Sequence, residues 1–271
     1  MAASPTGLAH PDPVCPPENP ATREKNGYFR PVREGSHHEK ILWIFGAAIF
    51  LSLIAWVVFA TAKIRDISNS LSCSGNLCAI GSLLHHYHEK YGHFPPAYQV
   101  DASGAPVHSW RVLLMLWDEP KLFANYRLDE PWNSPNNRKL ESLMPNFFRC
   151  PSEKISEDSP NRWHTNYFVV VGKDTLFPGP NPISFKDLGK PTASTVMLVE
   201  ATGQGIHWME PRDLNYDTMS FEINDRTRPS LSAKHRFPNF AMADVTRRYS
   251  GDLSPDQFRE MVLINALPKR E

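Results

Sequence analysis

From Ile41 to Ala62 the chain runs apolar for 22 residues without a single charge. At about 1.5 Å per helical residue the run spans roughly 33 Å, the thickness of a bilayer's hydrocarbon core. A soluble helix of that length carries a polar face, and this one has none, so the pattern predicts a membrane-spanning helix. Beyond it, Ile64, Ile67, Leu71, Cys78, Leu84, Tyr87 and Tyr91 recur mostly at helical intervals and place an apolar stripe on one face. Anchor and stalk are therefore expected as one continuous helix. Gly92 and the pair Pro95-Pro96 end it, because Gly suits the C-terminal turn and Pro moves the preceding residue away from helix.

The pattern then changes to short elements. His108 to Trp117 and Asn136 to Met144 read as helices, the second opened by Ser134 as cap and Pro135 in its first turn. Asn166 to Val171 and Thr195 to Glu200 are rich in β-branched and aromatic residues and read as buried strands. Asn239 to Ala243 and Thr246 to Ser250 flank Asp244-Val245 and predict a hairpin, although Asp-Val is a poorer turn pair than Asp-Gly. Ser254, Pro255 and Gln257 make a capping box for a last helix carrying Phe258, Met261, Val262 and Leu263.

Composition divides the chain into four parts. Residues 1–40 are rich in Pro and poor in apolar residues, and are expected to be a disordered tail. Residues 41–62 are the transmembrane helix, 63–92 the stalk, and 93–271 a single domain. Arg23, Lys25, Arg30, Arg33 and Lys40 precede the apolar run, whereas only Lys63 and Arg65 follow closely, so the tail is expected inside and the domain outside the cytoplasm. Ala60-Thr61-Ala62 has the form of a signal-peptidase site, but the apolar run is too long and too far from the start for a cleaved signal, which favours an uncleaved anchor. With 29 basic and 29 acidic residues there is no basic footprint for phosphate contacts, and no nucleic-acid partner is expected.

Candidate chemistry is sparse. His85, His86, His88, Glu89 and His93 suggest zinc, yet His88 and His93 are five apart and fall on different helix faces, unlike a metalloprotease pair. No nucleophile elbow, P-loop or dinucleotide fingerprint occurs. The stretch containing Asp213, Asp217 and Glu222 suits calcium by ligand type but lacks EF-hand spacing, so no cofactor is expected beyond this calcium candidate. Cys15 lies in the tail and is expected reduced. Cys73 and Cys78 point in different directions on one helix, which leaves two alternatives for Cys150: a bridge to Cys73 or Cys78, or a buried free thiol.

The blocks CSGNLCAIGSLLHHYHEKYGHFPPAY (73–98), HSWRVLLMLW (108–117), DEPWNSPNN (129–137), FRCPSE (148–153) and WMEPRDL (208–214) resemble a bacterial prepilin-like family designated domain of unknown function 1559. Asp129, Pro131, Trp132, Cys150, Trp208, His235 and Asp244 are the family-motif residues. The resemblance implies an α+β, pilin-like fold in which a long N-terminal helix packs on an antiparallel sheet with short helices. The family usually closes on His, nine residues and Asp-Gly; here eight residues separate His235 from Asp244-Val245. A prepilin's Gly-Phe processing site and its following Glu are also missing, with only Gly46-Ala47 in the run, so leader processing is not expected.

The function expected is non-enzymatic: a single-pass, pseudopilin-like envelope protein in a structural, secretion or assembly role, with the membrane and envelope or secretion-system proteins as partners. An extracytoplasmic solute- or glycan-binding module is the alternative, with Trp110, Trp132, Trp163 and Trp208 as stacking platforms. A hydrolase using His and carboxylates is the third. His235 and Asp244 are expected to serve the fold.

Overall fold

The computed structural model describes residues 37–156 and 158–266. The expected tail and Cys15 fall outside them, apart from the tail's last four residues. Helix α1 is a single helix from His37 to Tyr91. Its side chains from Ile41 to Phe59 are exposed, and it is long and apolar enough to cross a membrane. Further along, one face sinks into the core through Cys73, Leu77, Ile80, Gly81 and Leu84. That face corrects the predicted stripe. Of the residues named in it only Leu84 is fully buried, while Ile64, Ile67, Leu71 and Tyr91 are exposed. Periodicity marks an apolar stripe but not which face the domain covers, and here the covered face runs through Cys73, Leu77, Ile80 and Leu84.

The domain is α+β. A four-stranded antiparallel sheet runs in the order β3 (Tyr167–Phe168), β5 (Val196–Glu200), β7 (Asn239–Met242) and β8 (Arg247–Tyr249). β5 lies inside, and all five of its residues are buried because both sheet faces are covered. On one face Tyr167, Met197, Leu198, Ala241 and Ala243 share a core with Cys73, Leu77, Ile80 and Leu84. The other face carries Phe168, Val196, Val199, Phe240 and Met242 against Phe258 and Val262 of helix α3 (Pro255–Val262). A register shift between Val196 and Leu198 puts two consecutive residues, Met197 and Leu198, on the α1 side. Helix α3 begins with the predicted capping box of Ser254 and Gln257.

Several elements differ from expectation. The expected strand Asn166–Val171 is broken at Val169, whose N–H donates to Asp213 at 3.0 Å instead of to a ladder. Its second half, β4 (Val170–Val171), pairs in parallel with β6 (Leu214–Asn215), which lacks any period signal. His108 and Ser109 belong to β2 (Pro106–Ser109), paired with β1 (Tyr98–Val100), so helix α2 starts only at Trp110 and ends at Asp118, with Ser109 as its cap. Asn137–Leu143 winds as a 3-10 helix.

Candidate functional site

Four chain segments meet where α1 crosses the sheet. Cys73 comes from α1, Cys150 from the turn after Asn146–Phe148, Glu200 from the end of β5, and His235 from the loop before β7. All four are buried, and one donor atom from each lies within 4.8 Å of the others. The sulfurs of Cys73 and Cys150 are 2.7 Å apart. His235 Nε2 is 2.9 Å from Glu200 Oε1, and both side chains are wholly inaccessible.

Each member is held from behind. The Cys150 N–H donates to Asn166 Oδ1 at 2.8 Å, and Asn166 Nδ2 donates in turn to Glu153. Glu200 Oε2 accepts from the backbone N–H and side-chain amide of Asn239, at 3.0 and 3.2 Å. That amide also reaches the Ser70 carbonyl at 3.2 Å, which ties the site to α1. His235 Nδ1 is buried and has no hydrogen-bond partner among the described residues.

The cluster is strongly polarised. Burial by itself lowers the His235 pKa, but its contacts with Cys150 and Glu200 outweigh burial and raise it to about 10. The contact between the two sulfurs draws the Cys150 thiol down to about 7, while the same contact, together with burial, pushes Cys73 far up.

A second buried pair joins two sequence blocks. Arg111 of α2 meets Asp213 with Nη2 2.5 Å from Oδ1, both side chains essentially inaccessible. Asp213 also accepts from Trp110 Nε1 at 3.2 Å, and the guanidinium lies 4.8 and 5.2 Å from the ring centroids of Trp110 and Phe168. Burial raises the Asp213 pKa to about 6 against the pull of Arg111.

The predicted site residues sort clearly. Of the two stalk candidates, Cys73 and not Cys78 joins Cys150. The acidic stretch does not converge, since Asp213 is committed to Arg111 while Asp217 and Glu222 are exposed. The stalk histidines do not converge either: His85 Nε2 contacts the Ala243 carbonyl at 2.7 Å, and His88 Nε2 accepts from the Phe185 N–H at 3.2 Å. Trp110 and Trp208 are fully buried, Trp208 donating to the Glu141 carbonyl at 3.0 Å. Trp132 is half-buried against His207, Pro131 accepts from Asn137, and Asp129 is exposed. Asp244 Oδ1 accepts from the Thr246 N–H at 2.9 Å within the hairpin turn. Glu200 was not foreseen, although a lone carboxylate closing an all-apolar strand was its signal in TVMLVE.

No curated protein and no solved structure matches this chain. The model of the family described as "Protein of unknown function (DUF1559)" matches residues 63–202, which include Cys73, Arg111, Cys150 and Glu200. Since that match covers more than half of its length, the chain belongs to the DUF1559 family.

Proposed function

We propose that this chain is a membrane-anchored, pseudopilin-like envelope protein that acts through protein contacts and not through catalysis. One observation carries the proposal: the same helix that embeds Leu77, Ile80 and Leu84 in the domain core carries the fully exposed, charge-free segment before Phe59. An exposed apolar surface of that length needs lipid or a protein partner around it. The polar cluster supports a non-catalytic role, since its groups are sealed from solvent and leave no substrate a path to a nucleophile. Burial of Trp110 and Trp208 removes two of the four stacking platforms that the glycan-binding alternative needs.

Topology reporters and mass spectrometry test the proposal. The full chain should pellet with alkali-washed membranes, a C-terminal alkaline phosphatase fusion should be active, and Gly46-Ala47 should remain uncut. A chain released by the alkaline wash, or a phosphatase fusion that is inactive where a cytoplasmic reporter is active, would refute the anchored, exported arrangement. A mature N-terminus at Ala47 would show prepilin processing, and one at Lys63 would show a cleaved signal.

A further inference from the structure

We propose that Cys73, Cys150, Glu200 and His235 bind one structural zinc ion, which pins α1 to the domain. The donor set is two sulfurs, one imidazole nitrogen and one carboxylate oxygen, the ligand types that zinc takes in closed four-coordinate sites. Bonds of about 2.0–2.3 Å to a tetrahedral ion place the donors roughly 3.3–3.8 Å apart, within the 4.8 Å envelope that the four atoms occupy. The two sulfurs, now 2.7 Å apart, separate by about 1 Å on loading. Binding takes both sulfurs as thiolates and His235 as the neutral imidazole, so the protons these groups hold leave as the ion enters, and the ion's charge offsets the thiolates.

The surroundings match those of a metal site. The second Glu200 oxygen is held by both N–H donors of Asn239, the outer support that orients a ligating carboxylate. All four ligands are buried and no position is left open to water, so the ion serves structure. A disulfide between Cys73 and Cys150 competes for the same sulfurs. It needs neither a buried carboxylate nor a buried imidazole, and it leaves the Glu200–His235 pair desolvated for no gain. An ion uses all four groups.

The test uses the full chain purified in detergent without chelator or reductant. Elemental analysis should find about one zinc per chain. Replacing zinc by cobalt(II) should give intense tetrahedral bands in the visible and a thiolate charge-transfer band in the near ultraviolet. Cys150→Ser and His235→Gln should abolish the stoichiometric metal. Asn239→Ala keeps the ligands but removes the side-chain support of Glu200, and should weaken zinc affinity about 10–100-fold. If the ligand variants fail to fold, the cobalt spectrum of the unaltered chain decides the matter. A metal-free chain with a Cys73–Cys150 disulfide in non-reducing peptide maps would overturn the proposal. So would a reduced chain that takes up neither zinc nor cobalt, or zinc content unchanged in Cys150→Ser and His235→Gln. Membrane anchorage is untouched by any of these results.

Discussion

Arg111 shows how one side chain organises a domain built from short elements. Its guanidinium donates to Asp213 and to the Tyr167 carbonyl from Nε and Nη2, which fixes α2 against β3 and against the segment leading into β6. Both charges are out of water, so removing one partner leaves the other buried and uncompensated. Arg111→Met should cost about 3–5 kcal/mol in urea unfolding, and adding Asp213→Leu to it should recover a large part of that loss. A cost below about 1 kcal/mol for Arg111→Met would show that water reaches the site and solvates Asp213. The double variant separates charge burial from lost packing, since packing losses do not reverse when the second charge is removed.

Among the elements, the β7–β8 hairpin carries the clearest tension between local conformation and packing. Val245 sits at φ 65°, a left-handed conformation that a β-branched residue adopts only under constraint. The turn imposes it, since the Val245 N–H donates to the Met242 carbonyl and the Met242 N–H to the Thr246 carbonyl, each at 2.9 Å. A Cβ added at Gly81 would lie 3.1 Å from Val245 Cγ1 and 3.0 Å from Met197 Cε, so the helix approaches the sheet through a glycine at this point. Gly81→Ala gains about 1 kcal/mol of helix propensity but crowds Val245, and should be neutral or destabilising in the native background. Once Val245→Gly has removed the obstructing methyls, the same Gly81→Ala change should stabilise by about 0.5–1 kcal/mol. Thermal unfolding of the four chains in this cycle measures the coupling. Strictly additive effects would mean that Val245 does not set the helix-to-sheet spacing.

For the whole molecule, the C-terminal part of α1 is a structural part of the domain. Leu77, Ile80 and Leu84 are fully inaccessible in the same core as Trp110, Leu198 and Trp208, and burying each is worth about 1.5–3 kcal/mol. Their sum rivals the 5–15 kcal/mol of a typical domain. A fragment covering 63–271 should therefore be soluble and unfold cooperatively, whereas one covering 93–271 should aggregate or give no cooperative transition. Circular dichroism melts and size-exclusion chromatography decide between them. A well-folded 93–271 fragment would show that the sheet closes its own core without the helix.

The sequence alone determined the features carried by local or periodic patterns. They are the charge-free run in α1, its continuation to Tyr91, the capped α3, the strand β5 and the hairpin around Asp244. Each is written within a window of neighbouring residues, where periodicity and capping chemistry act directly. Only the tertiary structure decided which face of α1 is buried, that the strand around Val169 breaks to serve two sheets, and that Cys73 rather than Cys78 meets Cys150. The grouping of Cys73, Cys150, Glu200 and His235 belongs to this second kind. Those residues are up to 162 positions apart, from 73 to 235, and no local pattern encodes how a sheet register and a helix rotation bring them together. Burial is what joined them: closing the core between α1 and the sheet left their polar atoms facing one another, with Asn166, Tyr167 and Asn239 around them.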